Sequence, residues 1–367
     1  MRPIVLVPGF GGSKLVRKGD TNSRNRVFSF DILDKRWKND FHYTFDKVNG
    51  LKISDTIEPY RFGSTDGVVD LCDDCARLDR ILVKVTNKEF FNDMFGYKYM
   101  SDMTRHLSDR HGYKSEIDMF AAPYDFRTVM MDERYMNDLK MLIEKAVDDN
   151  GEPSVVIAHS IGCLLVTLML VRHTTYQWRK KHVNKFVSIC GPYGGCSVPA
   201  SALIFGHPLV SKITSHFDEM LQCCSGLALS LPNYLAYGLE TPVFYDHRQK
   251  KSYNIFMKRQ LFSDSMNHLL YTYIDPCIDS LQENVGVDTK ILYANGKDTP
   301  LTYIIHADER VETSTVSGDG VVPSTSLMLH HMYKYSNYTY YDIPNTDHTR
   351  ILQDPQTFRL LDEFVTN

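Results

Sequence analysis

Residues 154–162 read Ser154-Val-Val-Ile-Ala-His-Ser160-Ile-Gly162, and this stretch decides the fold. Its β-branched start predicts a buried strand, and the apolar residues from 161 to 173 predict a helix. Ser160 then stands in the tight turn between the two elements, where the backbone is strained and the flanking residues must be small. Ala158 and Gly162 meet that requirement. The stretch predicts a nucleophile elbow with Ser160 as the candidate nucleophile.

On both sides of the elbow, short β-branched runs alternate with longer helical patterns. The predicted strands cover Ile4 to Val7, Met119 to Ala121, Val155 to Ala158, Phe186 to Ile189, Ile291 to Ala294 and Tyr340 to Ile343. The predicted helices cover Tyr99 to Arg110, Glu133 to Val147, Ile161 to His173 and Pro355 to Phe364. This alternation predicts an α/β fold, in which helices cover both faces of a mostly parallel sheet.

Two segments interrupt the alternation, and we interpret them as insertions in a single domain that spans residues 1–367. Residues 17–95 are rich in Phe, Tyr, Asn and Asp, and residues 196–270 contain several prolines among Leu, Ile, Tyr and Phe. Long insertions in compact domains are commonly lids or binding surfaces. We therefore predict a cap in the first segment and a lid in the second.

Composition and charge exclude several classes of protein. With 43% hydrophobic and 23% charged residues the chain can form a substantial core, and a formal net charge of −4 provides no basic field for nucleic acid. The eight cysteines are not densely spaced, which favours a reducing compartment. Cys72 and Cys75 have the spacing of half a zinc site, but no second pair stands at a suitable distance. We predict neither a metal nor a cofactor.

The start of the chain and its apolar runs bear on location. The apolar run from Pro3 to Gly9 is too short for a signal peptide and lacks a cleavage site. The longest candidate for a membrane span, Ile161 to Val171, falls short of about 20 apolar residues and is interpreted as a buried helix. We expect a cytoplasmic protein, peripheral at membranes, or one whose leader has been removed.

A glycine-rich loop follows the first predicted strand, Val7-Pro-Gly-Phe10-Gly-Gly-Ser13. A serine hydrolase needs two N–H groups to hold the oxyanion that develops during acyl transfer. We predict that Phe10 in this loop and Ile161 at the start of the helix supply them. A phosphate-binding loop is the alternative interpretation, but the Gly-Lys-Ser/Thr ending is absent.

A serine nucleophile needs a histidine base held by a carboxylate, in the chain order serine, acid, histidine. His348 follows the last predicted strand and is the candidate base, whereas His330 and His331 precede that strand and are weaker rivals. The acid has two candidates. Asp319 stands between two glycines, which indicates a demanding backbone conformation, and Asp298 follows the strand that ends at Ala294, where the ordinary interpretation is a turn residue.

Six motifs, in order along nearly the whole chain, resemble the lecithin:cholesterol acyltransferase family, which includes lysosomal phospholipase A and phospholipid:diacylglycerol acyltransferase. They are Val7-Pro-Gly-Phe-Gly-Gly-Ser-Lys-Leu15, Ala122-Pro-Tyr-Asp-Phe-Arg127, Ala158-His-Ser-Ile-Gly162, Gly191-Pro-Tyr-Gly-Gly195, Gly318-Asp-Gly-Val-Val-Pro323 and Asp347-His348. The resemblance implies an α/β-hydrolase fold with a membrane-binding subdomain in the first insertion and a lid in the second. It also selects Asp319 as the acid, and it implies a buried structural pair between Asp125 and Arg127.

The resemblance implies an enzyme, a lipid O-acyltransferase or phospholipase A that acts on the fatty acyl ester of glycerophospholipids through an acyl-serine. Its partners would be a phospholipid membrane surface and a lipid acyl acceptor or water, with no obligate protein partner. The chain departs from the secreted members in having no cysteine before Cys72. Aromatic and aliphatic residues of the insertions would contact a bilayer or pack on the core, namely Trp37, Phe41, Leu203, Ile204 and Phe205.

Two alternatives to this function stay open. One is a thioesterase or non-lipid carboxylesterase on the same scaffold, and the other is a catalytically silent lipid-binding protein.

Overall fold

The computed structural model describes residues 1–19, 40, 42–68, 99–131, 133–206 and 216–366. Most of the predicted first insertion, including Trp37, Phe41, Cys72 and Cys75, lies outside these ranges. The division of the chain into one domain with two insertions therefore stays a prediction.

The described strands, numbered in chain order, are β1 Ile4–Val7, β2 Leu15–Arg17, β3 Tyr43–Asp46, β4 Gly50–Ile53, β5 Ile57–Pro59, β6 Met119–Ala121, β7 Ser154–His159, β8 Val183–Ile189, β9 Phe244–Asp246, β10 Lys251–Tyr253, β11 Asp288–Ala294, β12 Lys297–Ile305, β13 Val311–Gly318 and β14 Tyr338–Ile343. The described α-helices are α1 Ser101–His111, α2 Arg134–Asn150, α3 Ile161–His173, α4 Tyr176–His182, α5 Ser197–Phe205, α6 His216–Leu221, α7 Ser225–Leu229, α8 Asp264–Leu269, α9 Ser324–Leu327 and α10 Pro355–Thr366. Short 3₁₀ turns cover Thr65–Gly67, Lys258–Gln260, Asp275–Gln282, Leu329–Tyr333 and Arg350–Gln353, and one π-helical turn covers Leu270–Ile274.

The centre of the molecule is a six-stranded sheet in the order β14-β11-β8-β7-β1-β6, and all its pairings are parallel. From β1 the chain crosses to β6 on one side and then returns to β7 on the other. A crevice forms at the carboxyl edge of a parallel sheet where the strand order reverses in this way, and ligands bind there. The predicted α/β-hydrolase fold is confirmed, and its six predicted strands are the strands of this sheet.

Helix α3 shows why the elbow packs so tightly. Every residue from Ile161 to Leu170 is buried, because the helix is apolar on all sides and lies against the sheet. The predicted bounds of this helix are confirmed, whereas α1, α2 and α10 differ from their predicted bounds by one to three residues at one or both ends. Within the described ranges, no helix is both long and apolar enough to cross a membrane.

A second sheet, which the sequence pattern did not predict, has the order β10-β9-β12-β13. Strands β12 and β13 form an antiparallel hairpin inserted between β11 and β14, and Lys297 at its start pairs with Gly318 at its end. The hairpin therefore leaves the carboxyl edge of the central sheet after β11 and returns the chain to the same place. Asp319 therefore lies beside the end of β11, although 22 positions separate it from Lys297 along the chain.

The described part of the second insertion, residues 196–206 and 216–270, contains helices α5 to α8 and strands β9 and β10. Leu203 is buried in the core and Ile204 packs partly against it. Phe205 is 38% exposed, with its ring centroid 5.9 Å from that of Phe244. Leu203 therefore packs on the core, whereas Phe205 borders the surface.

Candidate active site

Ser160 has the strained backbone of a nucleophile elbow, with φ 54° and ψ −129° at the junction of β7 and α3. Its N–H donates to the carbonyl of Ile189 over 2.9 Å, which fixes the turn to the neighbouring strand β8. A Cβ atom at Gly162 would lie 2.4 Å from the carbonyl oxygen of Pro8 and 2.6 Å from that of Val7. Since real contacts are never that short, only glycine lets α3 approach the end of β1 this closely.

His348, in the loop after β14, is the hydrogen-bond partner of Ser160. Its Nε2 lies 2.9 Å from the serine Oγ, and its Nδ1 lies 2.6 Å from Oδ2 of Asp319. A carboxylate only accepts hydrogen bonds, so Nδ1 carries the proton and Nε2 is left to accept the proton of the serine hydroxyl. The arrangement is the one that general-base activation of a serine requires.

Asp319 is fully buried, and its carboxylate is satisfied by hydrogen bonds from its own turn. Besides the bond to His348, Oδ1 accepts from the N–H groups of Val321 and Val322 at 2.9 and 2.6 Å. The flanking glycines make this turn possible, since a Cβ at Gly318 would lie 2.3 Å from the Val322 carbonyl and Gly320 has φ 92°. A buried carboxylate without such donors would be strongly destabilising.

The rival candidates lie elsewhere. Asp298 is exposed on β12, where it pairs with Ser317, so it lies in a strand rather than in the predicted turn. His330 is buried and its Nε2 donates to the carbonyl of Leu281 over 2.7 Å. Burial lowers the pKa of His330 to about 4, so this ring stays neutral as part of the core. His331 is exposed.

The glycine-rich loop after β1 packs closely against the nucleophile Ser160. A Cβ at Gly9 would lie 2.8 Å from Cβ of Ser160, so the next residue, Phe10, is held beside the serine. Ile161 is the first residue of α3, whose N-terminal partial positive charge favours a developing oxyanion. Within the described residues, no atom accepts a hydrogen bond from the N–H of Phe10 or of Ile161. Both groups are therefore available as oxyanion donors, the role predicted for them.

Asp125 and Arg127 form the pair that the family resemblance implied, with Arg127 buried and the Asp125 side chain 12% exposed. Arg127 is 1% exposed, its Nε and Nη2 donate to both carboxylate oxygens of Asp125, and its Nη1 donates to the carbonyl of Asp40 over 2.6 Å. Phe126 between them packs against Phe10, with ring centroids 4.8 Å apart. The pair thus fixes the surface on which the oxyanion loop rests.

One cluster near the site has a donor set that could hold a metal ion. The Sγ of Cys190, a carboxylate oxygen of Asp319 and a ring nitrogen of His348 lie within 4.8 Å of one another. Burial raises the pKa of the Cys190 thiol well above its usual value, and a protonated thiol is a poor ligand. Both carboxylate oxygens of Asp319 already accept hydrogen bonds. The three side chains are better described as a hydrogen-bonded network.

Two residues of the site were missed by sequence reasoning, Tyr99 and His159. The Tyr99 hydroxyl lies 2.7 Å from Nδ1 of His159, whose Nε2 lies 2.8 Å from the backbone oxygen of His348. His159 is the residue before the nucleophile and was therefore visible in the motif. Its partners, 60 residues before it and 189 after it, were not visible in any local pattern.

Comparisons with known proteins agree on one group. The family model "Lecithin:cholesterol acyltransferase" matches residues 85–259. The chain is 28% identical over 289 residues to lecithin-cholesterol acyltransferase-like 1 of Arabidopsis thaliana, an alignment that covers 70% of this chain and 62% of the relative. It is 29% identical over 233 residues to phosphatidylcholine-sterol acyltransferase of Gallus gallus, covering 60% of this chain and 54% of the relative. The chain thus spans less than two thirds of the length of these relatives.

Among solved structures, the crystal structure of the Tle4-Tli4 complex contains a chain similar to this one with a TM-score of 0.58. The similarity covers 99% of this chain and 98% of the other, at 12% sequence identity. At that identity the likeness concerns the fold alone.

Proposed function

Because this chain is similar to the lecithin:cholesterol acyltransferase family over residues 85–259 and to the two relatives named above, we propose that it is a lipid O-acyltransferase or phospholipase A. Its substrate would be the fatty acyl ester of a glycerophospholipid, cleaved through an acyl-serine intermediate. The observation that carries the proposal is the hydrogen-bonded series from Ser160 Oγ to His348 Nε2, 2.9 Å, and from His348 Nδ1 to Asp319 Oδ2, 2.6 Å.

In the first half-reaction Ser160 Oγ attacks the ester carbonyl while His348 Nε2 takes the hydroxyl proton. The carbonyl oxygen becomes an oxyanion that the N–H groups of Phe10 and Ile161 stabilise. When the intermediate collapses, the bond to the glycerol oxygen breaks and His348 returns the proton to that oxygen. Asp319 keeps the imidazole in the required tautomer and stabilises the imidazolium that forms. The products are a lysophospholipid and acyl-Ser160.

In the second half-reaction an acceptor hydroxyl attacks the acyl-serine, His348 takes its proton, and Ser160 recovers a proton as it leaves. Water as acceptor gives a free fatty acid, and a lipid alcohol gives a new ester. A site that excludes water would favour the lipid acceptor. The proposal includes a phospholipid membrane surface as the place of reaction. We also propose that the protein is cytoplasmic and peripheral at membranes. The free thiols of Cys163, Cys190, Cys196, Cys223, Cys224 and Cys277 support this location.

Incubation with mixed vesicles of phosphatidylcholine, cholesterol and diacylglycerol tests this function. We expect lysophosphatidylcholine by mass analysis, together with free fatty acid, sterol ester or triacylglycerol, and none of these from Ser160→Ala. A soluble short-chain ester and an acyl thioester are assayed in parallel with the vesicles. Turnover of the first would indicate a non-lipid esterase, and turnover of the second a thioesterase.

Turnover of a soluble substrate without lysolipid from vesicles would contradict the lipid assignment. A folded wild-type protein inert toward all of these substrates would support the silent lipid-binding alternative.

A further inference from the structure

Three hydrogen bonds, two of them buried and one partly buried, connect the oxyanion loop, the elbow and the loop of the base. The N–H of Gly9 donates to the Tyr99 hydroxyl over 2.7 Å, and that hydroxyl lies 2.7 Å from Nδ1 of His159. Nε2 of His159 lies 2.8 Å from the backbone oxygen of His348. We call this series the Tyr99–His159 relay.

The chemistry of the end groups fixes the direction of every bond in the relay. The Gly9 N–H can only donate, so the Tyr99 oxygen accepts from it and gives its own proton to His159 Nδ1. The His348 carbonyl can only accept, so Nε2 of His159 carries the proton. One neutral tautomer of His159 therefore satisfies every group, and a buried network of this kind is rigid only when all its members are satisfied.

The relay stays neutral. Burial, together with the nearby His348 ring, lowers the pKa of His159 to about 3, while burial raises the pKa of Tyr99. The ring centroids of His159 and His348 lie 5.0 Å apart. A charged His159 at that distance would oppose the imidazolium that His348 forms during acylation, so a neutral neighbour suits the reaction.

Three members of the relay, Gly9, His159 and the carbonyl of His348, adjoin or belong to residues that the reaction needs. Gly9 precedes Phe10, His159 precedes Ser160, and the carbonyl at the far end belongs to His348. The contacts are close, since a Cβ at Gly9 would lie 3.1 Å from the Tyr99 hydroxyl oxygen and 3.2 Å from His159 Nδ1. A small movement of the relay would therefore shift the oxyanion donor and the base relative to the nucleophile.

From these contacts, and resting on the proposed function, we propose that Tyr99 and His159 are positioning residues for acylation. They hold the loop of Phe10 and the loop of His348 in the correct position relative to Ser160, and they touch no reacting atom. Tyr113 offers a contrast, because its hydroxyl donates to one backbone carbonyl, that of Arg2, and links no second group of the site. Tyr99 bridges two partners from different segments.

The test compares Tyr99→Phe with the control Tyr113→Phe, since each variant loses one buried hydroxyl and keeps its ring. A soluble fluorophosphonate measures the reactivity of the serine without lipid, and a soluble short-chain ester gives kcat and KM. We expect Tyr99→Phe to lower the labelling rate and kcat by about ten- to a hundredfold with KM unchanged, because misplacement of about 1 Å has effects of that size. Tyr113→Phe is expected to match the wild type.

The variants His159→Gln and His159→Ala give a second comparison, which holds even if Tyr99→Phe does not fold. The glutamine amide can still donate to the His348 carbonyl, so we expect it to label faster than the alanine variant. Labelling of Tyr99→Phe at the rate of Tyr113→Phe, or equal rates for the two His159 variants, would overturn the positioning role. A folded wild type that never labels would instead overturn the proposed function, and this inference with it.

Discussion

Ser160→Ala is expected to lower the release of lysophospholipid from phosphatidylcholine vesicles by about 10⁴- to 10⁶-fold, the size of effect that loss of a serine nucleophile has in other hydrolases. The fold should survive, because the side chain shortens by one oxygen and Ser160 is held by its backbone N–H to Ile189. Initial rates of lysolipid formation, measured by mass spectrometry at saturating vesicle concentration, give the comparison.

Ser154→Ala is the matched control for this experiment. Ser154 begins the same strand that leads into the elbow, and its hydroxyl donates to the carbonyl of His182 over 2.8 Å. The control loses a buried hydroxyl at the far end of β7, so its rate should stay near that of the wild type. Lysolipid release by Ser160→Ala at a rate close to that of Ser154→Ala would show that another group is the nucleophile.

Asp319→Asn is expected to lower kcat by about 10⁴-fold, because the same change in a serine protease triad leaves the histidine in the wrong tautomer. Here the new amide can place its NH₂ group against His348 Nδ1, where only an acceptor suits the catalytic tautomer. The ring would then present a proton at Nε2 and could no longer accept one from Ser160. Steady-state turnover of a soluble ester measures this effect without a membrane.

Asp298→Asn supplies the control, because Asp298 is the second acid candidate of the sequence and lies exposed on β12. Its kcat should stay close to that of the wild type. A large loss in Asp298→Asn with little loss in Asp319→Asn would reverse the assignment of the acid.

The central sheet was predictable because several of its strands are continuous apolar runs. Buried parallel strands need such runs on both faces, and β1, β7 and the apolar half of β11 have them. The hairpin of β12 and β13 was not predictable in this way. Strand β13, Val-Glu-Thr-Ser-Thr-Val-Ser-Gly, is mostly exposed, so it carries no alternation of apolar and polar residues that would mark it.

The same hairpin explains why position along the chain could not decide between Asp298 and Asp319. The register pairs Asp298 with Ser317, so both acids lie near the end of β11. Only the orientation of the turn after β13, set by Gly318 and Gly320, brings a carboxylate to His348. Local sequence signalled the unusual turn through its paired glycines, but it carried no information on the distance to the histidine.

The relay was beyond sequence reasoning for a different reason. Tyr99 stands at the start of a predicted helix, where a tyrosine usually packs in the core, and nothing local indicates that its hydroxyl meets both Gly9 and His159. Long-range contacts of this kind follow from the topology of the sheet, which brings the carboxyl ends of β1 and β7 side by side.

The central claim is that Ser160 is a nucleophile activated by His348 and Asp319. Its most direct test is to treat the folded protein with a fluorophosphonate and to locate the adduct by peptide mass spectrometry. We predict a single adduct on the peptide that contains Ser160, and none in Ser160→Ala. A folded wild-type protein that remains unmodified, or an adduct on a different residue, would contradict the claim.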